Sequence, residues 1–140
     1  MEQRKRNALV AVIVLIVVPI ALILLWNAWR EPGTLVAYTR SGGFAGTTEQ
    51  MVVYRDGRVV VSGDEGREFE LSDGQLARLE DALTAGDWPR QPIVYGEPLP
   101  DGFQHDISYD GHIITAYDTS DLPGWLQDVL DALGRVQSSA

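Results

Sequence analysis

The stretch from Ala8 to Leu25 reads ALVAVIVLIVVPIALILL, eighteen residues without a charged, amide or hydroxyl side chain. As a helix it would be about 27 Å long, close to the hydrocarbon thickness of a bilayer. Trp26 and Trp29 follow it, and indole rings favour the membrane–water interface. A buried core helix is the alternative, but such a helix carries a polar stripe, which this run lacks. We therefore predict a membrane-spanning helix over residues 8–29.

The flanks of this helix predict its orientation. Basic residues at positions 4–6 precede it, whereas Arg30 and Glu31 follow it and cancel. This asymmetry predicts a cytoplasmic tail at residues 1–7 and an extracytoplasmic location for the rest of the chain. A cleavable signal peptide has a similar layout, but it has a shorter apolar region that ends at small residues, where this chain has tryptophan. The prediction is a single-pass cell-membrane protein with an uncleaved anchor.

The remaining chain is predicted to form one acidic domain. A connector is expected over residues 30–34, one domain over residues 35–136, and a flexible tail at 137–140. From residue 31 onward the chain has 19 acidic and seven basic residues, which gives a formal charge of −12. This charge argues against a nucleic-acid partner but is compatible with a basic protein partner. The chain has no cysteine, so neither disulfides nor thiol chemistry are expected.

Alternating apolar residues and turn residues predict six strands. They are expected over residues 34–39, 49–55, 58–62, 67–71, 103–109 and 112–117. Asp56-Gly57 and Asp110-Gly111 each indicate a two-residue hairpin turn. The stretch from Trp88 to Pro100 contains Pro89, Pro92 and Pro98 before its last residue, and is predicted to be a long connection.

Two helices complete the predicted fold. Ser72 and Gln75 indicate a capping box at the start of the first helix, which is expected to run to about Ala85 and to stop at Gly86. The second helix is expected to open around residues 121–123 and to end at Gly134. The fold class is therefore predicted as α+β, an antiparallel sheet with the two helices packed on one face.

The histidines do not form a predicted metal site. In the second hairpin His105 faces Ala116 and His112 faces Tyr109, which separates the two rings by roughly 13 Å. His105 shares its face with apolar residues, so we predict a partly buried, hydrogen-bonded side chain. No serine lies in a motif that would activate it as a nucleophile. We therefore predict no catalytic residues, no metal and no cofactor, and we do not expect an enzyme.

The most unusual local feature is a glycine-rich segment, here called the Phe44 loop, made of Ser41, Gly42, Gly43, Phe44, Ala45 and Gly46. Three glycines around one aromatic residue predict backbone conformations that other residues rarely adopt. Phe44 either plugs the end of the sheet or, if it is exposed, is a rigid aromatic anchor for a partner. The residues alone leave both interpretations open.

A strand that ends in Arg-Ser-Gly-Gly-Phe-Ala-Gly resembles the start of the emfourin-like family, small bacterial domains that include a protein inhibitor of thermolysin-like zinc metallopeptidases. Further similarities follow in the same order over residues 35–134. They are a helix leading to Asp87-Trp88, a proline-rich connection, an Asp101-Gly102-Phe103-Gln104 strand entry, and a closing helix with Trp125 and Leu126. Two features depart from the family: the membrane anchor, and His105 where an aromatic such as tyrosine is expected.

The resemblance implies a function for the Phe44 loop. It implies that residues 41–46 bind an extracytoplasmic metallopeptidase and occlude its substrate cleft, while residues 8–29 hold the protein in the bilayer. The alternative is a membrane-tethered interaction or sensing module of the cell envelope without inhibitory activity. The sequence leaves both functions as expectations, because fold alone does not determine function.

Overall fold

The computed structural model describes residues 33–118 and 121–139. In this part of the chain the fold is mixed α+β, with seven strands and two helices. The elements are β1 (Thr34–Gly42), β2 (Thr47–Tyr54), β3 (Arg58–Ser62), β4 (Arg67–Glu70), α1 (Asp73–Thr84), a 3₁₀ turn (Trp88–Arg90), β5 (Val94–Tyr95), β6 (Phe103–Tyr109), β7 (His112–Tyr117) and α2 (Gly124–Gln137). The predicted α+β class is confirmed for these residues.

The predicted membrane anchor, residues 8–29, lies outside the described residues, as does the predicted cytoplasmic tail at 1–7. Among residues 33–118 and 121–139, no helix has both the length and the apolar composition needed to cross a membrane.

The strands form one sheet in the order β4-β3-β2-β1-β6-β7-β5. All neighbours are antiparallel except β5 and β7, where Val94 pairs with Thr115 and Tyr95 with Ala116 in parallel. The sequence analysis missed β5, because two residues are too few to show alternation. The connection predicted over residues 88–100 therefore contains β5 and a 3₁₀ turn, which the sequence analysis did not predict.

One face of the sheet forms the core together with both helices. Alternate residues along β1, β2 and β3, such as Val36, Met51 and Val59, are buried, as period-two alternation requires. The core cluster joins these strand residues to Leu79 of α1 and Leu126 of α2. This arrangement confirms the prediction that the two helices pack on one face.

The two hairpins differ in their turns. Tyr109 pairs with His112, and both central residues have positive φ, 48° at Asp110 and 77° at Gly111, so this is the predicted two-residue turn. In the first hairpin Val53 pairs with Val59; β2 ends at Tyr54 and β3 begins at Arg58, which leaves three residues, 55–57, in the connection. The predicted two-residue turn at Asp56-Gly57 is therefore wrong.

Helix α1 begins as the sequence predicts. Ser72 N–H donates to Gln75 Oε1 (2.9 Å), and Gln75 N–H donates to Ser72 Oγ (3.3 Å), which completes the capping box. The helix ends at Thr84, and Ala85 caps it. Gly86 has a different reason to be glycine, because a Cβ atom there would lie 2.5 Å from the Trp125 ring.

Helix α2 runs past the glycine that was predicted to end it. Gly134 lies inside the helix, which continues to Gln137, and Val136 is buried. The burial of Val136 against the core outweighs the low helix propensity of one glycine, about 1 kcal/mol. Beyond the helix, Ser139 Oγ accepts a hydrogen bond from Gln75 Nε2 (3.2 Å), so the described part of the predicted tail contacts α1.

Candidate functional site: the Phe44 loop

The Phe44 loop forms the tip of the β1–β2 hairpin. Ser41 and Gly42 belong to β1, where Gly42 pairs with Thr47, and the turn is closed by a hydrogen bond from Gly46 N–H to Gly43 O (3.1 Å). The φ angles are 110° at Gly42, 73° at Gly43 and 60° at Gly46. The predicted need for glycine is confirmed, because a side chain at these φ values is strained.

Phe44 is 96% exposed, more than any other large apolar residue in the described part of the chain. The interpretation in which Phe44 plugs the end of the sheet is therefore wrong, and the exposed interpretation is correct. Phe103, at the start of β6, lies against the base of the loop. Its ring lies so close to the loop that a Cβ atom at Gly43 would be 2.6 Å from Phe103 Cζ.

The loop is held on one side by the residues that lead into β6. Gly43 N–H donates to Gly102 O (3.1 Å), and a Cβ atom at Gly42 would lie only 2.5 Å from the same oxygen. The guanidinium of Arg40 stacks on the Phe103 ring, 4.3 Å from its centroid. These contacts explain why two adjacent glycines are required, and they fix the backbone that carries Phe44.

A polar network lies next to this bracing. Tyr38 Oη is 2.8 Å from His105 Nδ1, and His105 Nε2 is 2.7 Å from Asp118 Oδ1. Because an ionised carboxylate only accepts hydrogen bonds, His105 Nε2 carries a proton, and in the neutral ring Tyr38 donates to Nδ1. The predicted state of His105, partly buried and hydrogen-bonded, is confirmed.

The network also changes the acidity of its members. Burial raises the pKa of Tyr38 to about 12. The charge of Arg40 acts against this shift, and the charges of Asp118 and Glu49 add to it. Partial burial acts to raise the pKa of Asp118, but hydrogen bonds from His105 and from Phe103 N–H, with the charges of His105 and Arg40, bring it below its ordinary value. The tyrosine therefore stays neutral and the aspartate stays ionised near pH 7.

The raised pKa of Tyr38 makes a prediction about stability at high pH. Tyr38 loses its proton at about pH 10 in the unfolded chain and at about pH 12 in the folded protein. Its contribution to the free energy of unfolding is therefore intact below pH 10. It is lost as the pH rises from 10 to 12, up to about 2–3 kcal/mol. Urea unfolding measured between pH 10 and 12 should show a steeper fall in the free energy of unfolding for the native protein than for Tyr38→Phe. Tyr117→Phe, on the other face of the sheet, is the control and should behave like the native chain.

The network does not offer an activated nucleophile. Tyr38 is only 6% exposed, and a buried phenol with a raised pKa is a poor nucleophile at neutral pH. The predicted register places His105 opposite Ala116 and Tyr109 opposite His112, so the two histidines lie apart. Within residues 33–118 and 121–139, no group of three His, Asp or Glu side chains could hold a metal ion. The arrangement favours a positioning role.

Two further features adjoin the Phe44 loop. Leu99, 51% exposed, lies in the turn that is closed by a hydrogen bond from Gly102 N–H to Leu99 O (3.2 Å). On the other side a shallow groove is lined by residues of β2 and of the β3–β4 turn, including Thr47, Asp64 and Glu65. The loop thus has an exposed leucine near one side and a groove that includes acidic residues on the other.

The sequence analysis missed Asp118 and Tyr38 as parts of this site. The hairpin register contained the signal for Asp118, because the pairing of Gln104 with Tyr117 places Asp118 next to Phe103. No such signal existed for Tyr38. Its contact with His105 depends on β1 lying beside β6, and these strands are separated by most of the domain in sequence.

Comparison with known proteins adds no family to this picture. No protein-family model matches the chain, and no curated protein is significantly similar to it. The emfourin-like resemblance therefore stays a prediction.

Proposed function

We propose that this protein is a membrane-anchored inhibitor of an extracytoplasmic thermolysin-like metallopeptidase, and that the Phe44 loop occludes the substrate cleft of the enzyme. One observation carries the proposal: a phenyl ring that is 96% exposed stands on a backbone held by the hydrogen bond from Gly43 N–H to Gly102 O and by the Phe103 ring against Gly43. An aromatic side chain on an ordered backbone loses little conformational entropy on binding, which is typical of interface anchors.

Occlusion is a better mechanism for this chain than removal of the zinc ion. The chain contains no cysteine, and the described residues offer no cluster that could bind a metal. A protein that takes zinc from a peptidase needs several soft or imidazole ligands converging on one point. Filling an apolar subsite with Phe44 needs only the ring and a rigid backbone.

The proposal is tested by titrating thermolysin with the full chain in detergent micelles. We expect a saturable loss of peptidase activity with the inhibitor chain remaining uncleaved, as judged by mass spectrometry at the end of the titration. Thermolysin in the same micelles without the protein is the control. Undiminished activity at saturating protein, or steady cleavage of the chain as a substrate, contradicts the proposal.

A second function is favoured by a separate apolar surface. Ile93, Val94 and Ile113 are 73%, 49% and 61% exposed and line one groove beside β5 and β7, a surface that the inhibitor proposal does not use. We propose as the alternative a membrane-tethered interaction module without inhibitory activity. Its test is the co-purification of a membrane protein, which Ile113→Asp should abolish and Phe44→Ala should not. On this alternative neither the native chain nor either variant inhibits thermolysin.

A further inference from the structure

A continuous series of contacts connects the buried core to the Phe44 loop. It starts at Tyr38, 6% exposed, and passes through His105 to Asp118. From Asp118 it passes to Phe103, whose ring lies against Gly43 at the base of the loop. Each step in this series joins residues from different strands or turns, so it ties the loop to the core independently of the β1–β2 ladder.

Asp118 is the central member of the series because both of its carboxylate oxygens are used. Oδ1 accepts from His105 Nε2 (2.7 Å), and Oδ2 accepts from Phe103 N–H (3.1 Å). The backbone adds a third bond, from Asp118 N–H to Phe103 O (3.2 Å). Phe103 is therefore held from both its N–H and its C=O, and the ring and the preceding Gly102 carbonyl are both aimed at the Phe44 loop.

We propose that Asp118 and His105 are positioning residues for the Phe44 loop: they hold Phe103 and Gly102 in the place where these residues order Gly43, and so preorganise Phe44 for its partner. This inference rests on the proposed function for its effect on affinity, but its effect on loop order is a property of the protein alone. The two effects can be measured separately.

A competing explanation must be separated from this one. The Asp118 side chain is 41% exposed, so it could also attract a basic residue of the partner directly. The two explanations differ for Asp118→Asn. Asparagine can accept from Phe103 N–H with its oxygen and donate to His105 Nε2 with its nitrogen, if the imidazole proton moves to Nδ1 and the Tyr38 hydroxyl becomes the acceptor. Asparagine thus preserves the positioning but removes the charge.

The experiment compares Asp118→Ala and Asp118→Asn in the full chain in micelles, by hydrogen exchange of single backbone amides and by inhibition of thermolysin. In Asp118→Ala we expect the Gly43 amide to exchange about tenfold faster or more, as loss of a charge-assisted hydrogen bond predicts. The inhibition constant should rise by a similar factor. In Asp118→Asn both quantities should stay within about threefold of the native values. The amide of Ile107, in the middle of β6, reports on global stability, and in Asp118→Ala the increase in exchange at Gly43 should exceed any increase at Ile107.

The outcomes distinguish this inference from the proposed function. Faster exchange at Gly43 in Asp118→Ala, with rescue by Asp118→Asn, supports positioning whether or not the native protein inhibits thermolysin. A native protein that does not inhibit contradicts the proposed function only. Unchanged exchange at Gly43 in Asp118→Ala overturns the positioning role. Equal loss of inhibition in both variants, without a change in exchange, assigns Asp118 to direct contact with the partner and also overturns it.

Discussion

Phe44→Ala is expected to raise the inhibition constant of the full chain for thermolysin by about tenfold or more, which is about 1.4 kcal/mol of binding free energy. The reason is that the ring is 96% exposed in the free protein, so its whole surface is available to be buried in the partner. The same exposure means that the ring contributes little to the fold. The free energy of unfolding should change by less than about 0.5 kcal/mol.

The measurement is a titration of thermolysin with each variant, alongside urea unfolding of the same preparations. Ile113→Ala is the matched control, because it also removes an exposed apolar side chain (61% exposed) but lies at the far end of β7 from the loop. It should inhibit like the native chain. Equal inhibition by Phe44→Ala and the native protein would remove the loop from the interface, and an unfolded Phe44→Ala would show that the ring is part of the core.

Trp88→Ala should cause the largest loss of stability, about 3–5 kcal/mol. The side chain is 4% exposed, and its Nε1–H donates to Leu83 O at 2.7 Å. Its ring packs against Tyr109 and Trp125, with centroids 5.2 and 5.3 Å away. Truncation therefore leaves a large cavity between α1, the sheet and α2, together with a buried carbonyl that has lost its donor.

Urea unfolding followed by circular dichroism measures this loss. Trp88→Phe retains most of the apolar volume but not the N–H donor, so it should cost less than the alanine variant, about 1–3 kcal/mol. A loss below about 1 kcal/mol in Trp88→Ala would contradict the assignment of Trp88 to the core, because a cavity of this size does not close without cost.

His105 connects two parts of the Phe44 site. A histidine can bond Tyr38 on one side and Asp118 on the other, whereas a tyrosine ring has one polar atom and could serve only one of them. The imidazole therefore makes a connection between the core and the loop that a phenol at this position could not make. In a protein that is proposed to act by an ordered loop, this connection bears directly on affinity.

The acidic character of the domain bears on the choice of target. A formal charge of −12 from residue 31 onward repels nucleic acid and anionic lipid surfaces and speeds encounter with a basic partner, an effect that salt weakens. Asp64 and Glu65 contribute to this charge beside the loop. The charge alone does not select a peptidase, which is why the thermolysin titration comes before any mapping of the interface.

The features that the sequence determined by itself are local ones. Asp110-Gly111 specifies a two-residue turn because both positions need positive φ, and Ser72 with Gln75 specifies the start of α1 because each side chain bonds the backbone of the other. Strand alternation is equally local, so the face of β6 that carries His105 was predictable. In each case the physical cause acts within a few residues.

The tertiary structure decided what depends on distant parts of the chain. Phe44 is exposed, whereas Phe103, from another strand, packs against the base of the loop. Trp88 lies in a segment without periodicity and is buried only because α1, the sheet and α2 close around it. Tyr38 meets His105 only because β1 and β6 are neighbours. Local rules define the elements of this domain, but packing between elements determines which aromatic ring reaches solvent, because burial is a property of the assembled layers and not of the residue.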